Sequence, residues 1–344
     1  MGGVAIFVSL IACIFVDTRI FPRIGLPSLF SAGPWKAPDH DMGLFLLGMT
    51  IVFVTGLIDD RFTLSPKQKL VGQVAAAVAT VSSGLVIDLV VNPLFETGLE
   101  LGWLGYPITI LYLVAYTNIF NLIDGLDGLA AGIACIASLT MCIISSIAQH
   151  MDAAALAIIL AGATLGFLRY NFNPASIFMG DSGSLLIGFT LGSISLMSVQ
   201  RIAGLTSIII PLVIAGIPII DTFSAIVRRG RAHVSIGQAD KGHIHHRLMD
   251  EGFNQRETVV LIYMWTAALC IGSIVMTQVT VGPRIFIFCM LIVSSILFSL
   301  RLHLFRPVLF HHYNHETGAD ELVTPQDPEF AEEEEKFEEE HPLF

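Results

Sequence analysis

The chain has 344 residues, of which 54% are hydrophobic and 14% are charged, and its formal net charge is −11. Its mean hydropathy of +0.73 excludes an ordinary soluble domain, since so many apolar residues must leave water in long runs. The composition predicts an integral membrane protein, and no nucleic-acid partner is expected.

Ten apolar runs predict ten transmembrane helices, because about 20 residues of helix cross the hydrocarbon core. We therefore expect an all-α, polytopic fold in which residues 1–310 form one membrane domain. In chain order the runs cover residues 4–16, 42–58, 70–91, 104–122, 129–148, 153–168, 184–199, 204–223, 259–279 and 285–300.

The charges of the loops predict how these helices are oriented. Twelve Lys and Arg residues fall on one side of the alternating map and five on the other, so the first side is assigned to the cytoplasm. Six acids lie at that same rim, and because acids near hydrocarbon are costly, they indicate a functional site. They are Asp59, Asp60, Asp124, Asp127, Asp181 and Asp221.

The net charge comes from the C-terminal tail. Residues 316–344 contain 12 acids and one Lys, which leaves 17 acidic and 17 basic residues elsewhere. A like-charged segment with few apolar residues cannot bury enough surface to fold. Residues 311–344 are therefore expected to form a disordered cytoplasmic tail.

The first motif, GLIDDRFTLSPKQKL, runs from Gly56 to Leu70 and places Asp59 and Asp60 side by side at the end of a predicted span. Adjacent carboxylates repel each other, so a divalent cation or one raised pKa is implied. An ordinary helix end followed by a polar turn would account for one Asp but not for two.

The second motif, NIFNLIDGLDGLAAG, joins two predicted spans, and its glycines allow the backbone to approach a ligand. Asn121, Asp124 and Asp127 recur every third residue and are expected to share one helical face. Asp127 alone is equally consistent with a helix N-cap.

The third motif, FNPASIFMGDSGSLLIG, places Asp181 and Ser182 at the head of a span. Free backbone N–H groups at such a position favour an anion. Asp181 is a natural metal ligand, whereas helix capping is the alternative role for either residue.

The fourth motif, DKGHIHHRL, lies in the longest cytoplasmic loop, downstream of RRGR. The spacing of His243, His245 and His246 would suit zinc, but no thiol accompanies them and Arg247 disfavours a cation. Imidazoles beside an Arg fit a multiply charged phosphate better, and RRGR is also consistent with a positive-inside anchor. Together, the four motifs indicate phosphoryl chemistry with Mg²⁺ and one lipid-soluble partner.

The four motifs, in this order, resemble the polyprenyl-phosphate N-acetylhexosamine-1-phosphate transferase family, of the glycosyltransferase family 4 type, and the likeness runs from Gly2 to about Leu300. HIHHRL resembles the branch that transfers GlcNAc-1-phosphate from UDP-GlcNAc to undecaprenyl phosphate. The branch that makes the first peptidoglycan lipid intermediate usually has three consecutive histidines, and here Ile244 interrupts them.

This resemblance implies that a polyprenyl phosphate attacks the β-phosphorus of UDP-GlcNAc and releases UMP, with Mg²⁺ as cofactor and Mn²⁺ as a substitute. Asp181 would ligate the Mg²⁺, and Asp124 would belong to the same polar site. Asp59 and Asp60 would bind or deprotonate the lipid phosphate, in an order that the resemblance leaves open, and Lys69 would contact that phosphate. The remaining predicted contacts are to the uridine, from Asp127, Asn171 and, by stacking, Phe178, and to the pyrophosphate, from His245, His246 and Arg247.

The resemblance further implies a multi-pass plasma-membrane enzyme whose site and C-terminus are cytoplasmic and whose product initiates a cell-envelope polysaccharide. Homodimerisation within the membrane is left open. Family members usually begin with another span and a basic loop ending in Pro-x-x-Gly-Gly. The start at Met1 is therefore expected to reflect a misassigned start codon or a missing piece of the site.

Three alternatives compete with this interpretation. The same reaction could use another donor, such as UDP-MurNAc-pentapeptide or UDP-GalNAc. A CDP-alcohol phosphotransferase shares DGLDGLAAG superficially, but Ala131 stands where its Arg is expected. An ion-coupled membrane transporter would place its acids near the bilayer midplane rather than at one rim.

Overall fold

The computed structural model describes residues 2–30, 40–91, 98–199, 209–231, 242–306, 310–314, 319–323 and 327. Helices dominate this part of the chain, which confirms the predicted all-α membrane fold. The α-helices are α1 (Gly2–Phe15), α2 (Met42–Phe62), α3 (Pro66–Ser82), α4 (Gly105–Leu122), α5 (Leu129–Ile147), α6 (Met151–Asn171), α7 (Asp181–Val199), α8 (Ile209–Ile214), α9 (Gly216–Arg231), α10 (Ile244–Asp250), α11 (Gln255–Gln278) and α12 (Val281–Arg301). Two antiparallel pairs join β1 (Leu89–Val91) to β2 (Gly98–Glu100) and β3 (Phe310–Asn314) to β4 (Ala319–Val323).

Seven helical stretches in the described residues are long and apolar enough to cross a membrane, compared with the ten predicted. The first extends α1 through a π-helical turn and a 3-10 turn to Ile24. The seven are Gly2–Ile24, Met42–Phe62, Gly102–Leu122, Leu129–Ile147, Met151–Asn171, Gln255–Gln278 and Val281–Arg301. The predicted spans at α3, α7 and α8–α9 do not meet the same criteria.

The predicted span over residues 70–91 differs from the structure at both ends. α3 begins earlier, at Pro66, because Ser65 and Gln68 form a reciprocal capping box and proline suits a first helical turn. The helix ends at Ser82, and Gly84 then adopts a left-handed conformation (φ +93°) that commonly closes helices. The early start fixes Lys69 in the first turn of α3.

The predicted span over residues 204–223 is not one continuous helix where the structure describes it. α8 ends at Ile214 and α9 begins at Gly216, because Pro218 has no N–H to continue the ladder. α9 then runs to Arg231, through residues that were expected to form a loop.

α7 is the central helix of the bundle. It packs against α1, α2, α4, α5 and α6, and its side chains from Ser182 to Ser198 are buried, as expected for a helix that is surrounded by others. Gly188 permits the close contact with α4, since an added Cβ would lie 2.8 Å from the carbonyl oxygen of Tyr116. The N-terminus of α7, at Asp181, therefore lies in the middle of one end of the bundle.

The expected lack of structure from residue 311 onward does not hold for β3 and β4. Phe310 pairs with Val323, and Asn314 pairs with Ala319. The first of these strands is rich in aromatic residues and contains no acid, so it favours pairing over solvation. The acidic run over residues 329–340 lies outside the described residues.

Candidate active site

One polar cluster lies where α2 and α4 end and α7 begins. Lys69 forms ion pairs of 2.7 Å with Asp59 Oδ2 and with Asp181 Oδ1. Asn121 donates from Nδ2 to the same Asp181 oxygen at 2.5 Å and to Ser184 Oγ at 2.8 Å. The fold thus brings together three residues that are separate in sequence and were predicted for the site: Asp59, Lys69 and Asp181.

Asp60 points to the neighbouring helix and not to this cluster. Its Oδ1 accepts a hydrogen bond from the backbone N–H of Asp181 at 2.6 Å. Its Oδ2 accepts from the N–H of Ser182 at 3.2 Å and from the hydroxyl of Ser182 at 2.6 Å. A carboxylate here satisfies free N–H groups and the positive end of the helix dipole. The anion predicted at the head of α7 is therefore supplied by the protein itself.

The prediction that Asn121, Asp124 and Asp127 of the second motif share one helical face is wrong. α4 ends at Leu122, so Asp124 and Asp127 lie in the loop that leads to α5. Gly128, in a left-handed conformation (φ +81°), occupies the N-cap of α5, and the alternative role of Asp127 as that N-cap is not observed. The loop nevertheless turns the two carboxylates toward α7.

A cavity of about 440 Å³ opens between this loop and the head of α7. Asn121 and Gln255 line this cavity together with five of the predicted site residues. These five are Asp124, Asp127, Asn171, Phe178 and Asp181. Burial, and after it the negative charges of Asp181, Asp60 and Asp127, raise the pKa of Asp124 to about 7. A cation bound beside Asp124 would relieve this repulsion.

Two residues predicted to bind the nucleotide also hold the segment between α6 and α7. Asp127 Oδ2 accepts from the N–H of Ala175 at 3.0 Å and from Asn173 Nδ2 at 3.2 Å. Asn171 accepts from the N–H of Gly128 at 3.1 Å and donates to a backbone carbonyl of the segment at 3.0 Å. Phe178, by contrast, is 70% exposed at the cavity, where a planar ligand could stack on its ring.

Residues 244–248 of the histidine motif lie in α10, whose N-terminus is fixed by Asp221 from α9. Asp221 Oδ2 lies 2.8 Å from His243 Nδ1, and its Oδ1 accepts from the N–H of Ile244 at 2.8 Å. His245 packs against the loop that carries Asp124, since a Cβ added at Gly125 would lie 2.5 Å from its Cε1. Burial, and after it the neighbouring His246, lower the pKa of His245 to about 4. His245 is therefore neutral at pH 7, and its buried Nδ1 has no hydrogen-bond partner in the described residues.

The arginines of this region do not line the cavity. Arg247 donates from Nη2 to the carbonyl of Arg306 at 3.0 Å. Arg228, of the RRGR sequence, is 1% exposed and donates to the carbonyl of Leu304 at 2.6 Å. Both side chains tie α9 and α10 to the segment after α12, so RRGR is more than a charged anchor at the membrane surface.

The sequence profile of one family, described as glycosyl transferase family 4, matches residues 42–199, from α2 to α7. The chain is 38% identical to the "Probable undecaprenyl-phosphate N-acetylglucosaminyl 1-phosphate transferase" of Bacillus subtilis, over 85% of its own length and 77% of the relative's. It is 33% identical to the decaprenyl-phosphate N-acetylglucosaminephosphotransferase of Mycobacterium tuberculosis, over 79% and 70% of the two lengths. It is 31% identical to the phospho-N-acetylmuramoyl-pentapeptide-transferase of Halalkalibacterium halodurans, over 78% and 79%.

The chain belongs to glycosyl transferase family 4. This membership confirms the resemblance drawn from the four motifs and identifies the protein as a membrane-bound transferase. Three of the motifs fall within the residues that the family profile matches. The CDP-alcohol phosphotransferase and the ion-coupled transporter find no support in these comparisons.

The carboxylates of this family 4 protein suit Mg²⁺ that is bound together with a substrate, and they do not form a complete metal site by themselves. Within the described residues, no three His, Cys, Asp or Glu side chains are grouped closely enough to hold an ion. Mg²⁺ is usually bound by one or two carboxylates together with substrate phosphates. Asp181 and Asp124, on the wall of one cavity, match that pattern, so the donors present fit a magnesium ion that arrives with a phosphate ligand.

The contacts of three residues in the family 4 site were not predicted. Ser182 was expected at a helix start and Asp221 among the six rim acids of the site, but their partners are distant in sequence and no local pattern reveals them. Gln255 lines the cavity from the first turn of α11. Nothing in its sequence surroundings marks it, because only the packing of α11 beside the loop after α4 brings it there.

Proposed function

We propose that this protein transfers GlcNAc-1-phosphate from UDP-GlcNAc to undecaprenyl phosphate at the cytoplasmic face of the plasma membrane. The observation that carries the proposal is the cavity bounded by Asp124, Asp181 and the exposed ring of Phe178. It combines acidic groups for a metal-bound diphosphate with an aromatic face for a base. The relatives named for GlcNAc-phosphate transfer support this donor and a polyprenyl phosphate acceptor.

The reaction forms one P–O bond and breaks another. An oxygen of the lipid monophosphate attacks the β-phosphorus of UDP-GlcNAc, the bond from that phosphorus to the bridging oxygen breaks, and UMP leaves. A bound Mg²⁺ would neutralise the diphosphate and the developing charge. Asp181 and Asp124 would hold that ion, and the two anionic substrates could then approach each other.

The polar cluster beside the cavity would receive the acceptor phosphate. Lys69 already bridges Asp59 and Asp181, so its ammonium lies where a phosphate oxygen could replace one of the carboxylates. Asp59 has one oxygen on Lys69 and the other on the N–H of Leu64 at 2.6 Å. Asp59 is accordingly the member of the Asp pair that could take the proton of the acceptor phosphate as Lys69 moves to that phosphate.

The nucleotide would be recognised by a neutral surface more than by positive charge. Phe178 would stack on the uracil, which is worth about 1–3 kcal/mol for a base on an aromatic ring. Since the pKa of His245 is lowered to about 4, His245 would contribute a hydrogen bond to the pyrophosphate and not a charge. His246 and Arg247 would complete that contact, the latter after leaving the carbonyl of Arg306.

A transfer assay with a panel of donors tests this function. Purified protein in vesicles containing undecaprenyl phosphate receives radiolabelled UDP-GlcNAc, UDP-GalNAc or UDP-MurNAc-pentapeptide, with Mg²⁺ or with EDTA. The expected result is lipid-linked GlcNAc and UMP in equal amounts, only with Mg²⁺ and only with lipid phosphate present. Transfer of the MurNAc-pentapeptide donor alone would replace the proposed donor, and no release of UMP from any donor would refute the proposed reaction.

A further inference from the structure

Asp59 and Asp60 are neighbours in sequence, yet they face different parts of the molecule. Asp60 follows Gly56 by one helical turn, so the two residues share a face of α2. An added Cβ at Gly56 would lie 2.5 Å from the carbonyl oxygen of Asp181 and 2.6 Å from the nitrogen of Ser182. That face of α2 therefore lies in backbone contact with the first turn of α7.

The carboxylate of Asp60 is committed to that first turn. Oδ1 accepts from the N–H of Asp181 at 2.6 Å, and Oδ2 accepts from the N–H and the hydroxyl of Ser182 at 3.2 and 2.6 Å. Both oxygens are thus directed at α7. Asp59, by contrast, pairs through Oδ2 with the ammonium group of Lys69, and its Oδ1 accepts from the N–H of Leu64.

Gly180 is shaped to admit this carboxylate. It adopts a left-handed conformation (φ +73°), and an added Cβ would lie 2.7 Å from both oxygens of Asp60. Any side chain at this position would therefore displace the carboxylate from the head of α7. The Gly-Asp-Ser sequence of the third motif forms, in three consecutive residues, the socket for Asp60.

We propose that Asp60 is a positioning residue, which holds the first turn of α7 and through it the carboxylate of Asp181, and that it does not exchange a proton with the acceptor phosphate. The role in the reaction rests on the proposed transferase function, whereas the capping itself does not. Asp181 is the first residue of α7, so fraying of that turn moves its side chain away from Lys69 and the cavity. The pair of acids in the first motif then divides into one residue that pairs with Lys69 and one that aligns the helix.

Substitution by Asn separates the two roles, because Asn caps helices about as well as Asp but cannot take a proton. In Asp60→Asn, the amide oxygen can accept from Asp181 N–H and the amide nitrogen can donate to the Ser182 hydroxyl, so only the 3.2 Å hydrogen bond from the Ser182 N–H is lost. We expect kcat to fall by about tenfold or less, with KM for undecaprenyl phosphate unchanged. Asp60→Ala, which has no acceptor, should lose on the order of 100-fold, as expected for a misplacement of about 1 Å.

Asp59→Asn is measured in the same assay as the matched comparison. Because Asp59 is the residue proposed to take the proton, this variant should lose about 10²–10⁴-fold in rate. A loss of that size in Asp60→Asn would overturn the proposal. So would a raised KM for undecaprenyl phosphate in that variant. Melting temperatures of all variants, measured in the same detergent, ensure that rates are compared for folded protein.

The socket gives a second, independent test. Gly180→Ala should reduce kcat at least about tenfold by displacing the carboxylate, but in an Asp60→Ala background it should add little, since the two changes remove one contact. Gly252→Ala is the control, because Gly252 also has a positive φ (+98°) and an added Cβ there meets no atom within 4 Å. Equal losses from Gly180→Ala with and without Asp60 would contradict the socket.

Hydrogen exchange tests the cap without any reaction. In Asp60→Ala, the amides of Asp181 and Ser182 should exchange about five- to tenfold faster, the effect typical of a lost helix cap, whereas in Asp60→Asn the amide of Asp181 should stay protected. Unchanged exchange in Asp60→Ala would overturn the capping role even if the wild-type protein transferred no sugar. Inactive wild-type protein with faster exchange in Asp60→Ala would refute the proposed function alone.

Discussion

The two helices that carry the candidate site, α7 and α10, both begin at a carboxylate supplied by another helix, but the two caps are built differently. Asp60 gives both of its oxygens to the first turn of α7. Asp221 gives one oxygen to the backbone of Ile244 and the other to the ring of His243. One cap aligns a backbone, and the other aligns a backbone and an imidazole together.

The lengths of the two helices determine what each cap controls. α7 has 19 residues and packs against five other helices, so loss of its cap should disturb the first turn and leave the rest in place. α10 has seven residues, and so short a helix is not stable by itself. The cap of α7 should therefore affect the chemistry at Asp181, and the cap of α10 should affect the placement of the whole histidine motif and hence nucleotide binding.

The largest effect is expected at the head of α7. Asp181→Ala removes the proposed magnesium ligand together with the partner of Lys69 and Asn121, and losing such a ligand typically costs several kcal/mol of transition-state stabilisation. Transfer should be abolished, while the amount of protein in the membrane stays at the wild-type level. The measurement is the rate of UMP release by purified protein, and retention of a tenth of the wild-type rate would remove Asp181 from the metal role.

The next largest effect is expected at the head of α10. Asp221→Ala leaves the N–H of Ile244 and the ring of His243 without their buried acceptor, which costs about 1–3 kcal/mol for each unpaired group. KM for UDP-GlcNAc should rise more than kcat falls, because α10 holds the predicted pyrophosphate contacts. Asp250→Ala, at the exposed C-terminal end of the same helix, is the control. A loss confined to kcat would place α10 with α7 in the chemical step.

The sequence identified the family and most of the residues of the site, because its four motifs carry residue types that phosphoryl transfer needs in a recognisable order. It could not divide Asp59 from Asp60, since which way two adjacent carboxylates point is decided by α7, more than 100 residues away. The sequence also predicted that Arg247 contacts the pyrophosphate, whereas in the structure its guanidinium donates to the carbonyl of Arg306.

Helix boundaries were predictable only where local signals exist. The capping box formed by Ser65 and Gln68 is recognisable from the sequence and could have placed Lys69 inside α3. The break between α8 and α9 could have been taken from Pro218. The apolar run over residues 104–122 ends where α4 ends, at Leu122, so this boundary was predicted correctly. The expectation that Asn121, Asp124 and Asp127 share one helical face was wrong, because a repeat of every third residue suits a helix even where the chain forms a loop.

A smaller effect is expected from the ring beside α7. Phe178 lies in the turn that leads to the Asp60 socket, and its side chain is exposed, so Phe178→Ala should hardly change the melting temperature. Loss of stacking should raise KM for UDP-GlcNAc about tenfold, within the range for one stacked base. Phe286 on α12 is 71% exposed, and Phe286→Ala is the matched control that should leave KM unchanged. Equal effects of the two substitutions would show that exposure to lipid or detergent, and not stacking, is responsible.

The smallest effect is a dependence of stability on pH that has opposite signs at the two helix heads. Near α7, burial and neighbouring carboxylates raise the pKa of Asp124 from 3.8 to about 7. The folded state then binds more protons than the unfolded state between these values, so stability falls as pH rises through that window and is level above it. Near α10, burial lowers the pKa of His245 from 6.5 to about 4, and stability falls as pH drops through that window.

Asp124→Asn should remove the first of these dependences and leave the second. In EDTA, the melting temperature of Asp124→Asn should exceed that of the wild type by about 2–4 °C at pH 8, as expected for roughly 1 kcal/mol, and by much less at pH 4.5. Added Mg²⁺ should reduce the difference at pH 8, because a cation favours the ionised carboxylate of the wild type. A difference that is the same at both pH values would show that Asp124 is not held against the carboxylates of α2 and α7. The negative charge at the N-terminus of α7 would then come from Asp181 and Asp60 without Asp124.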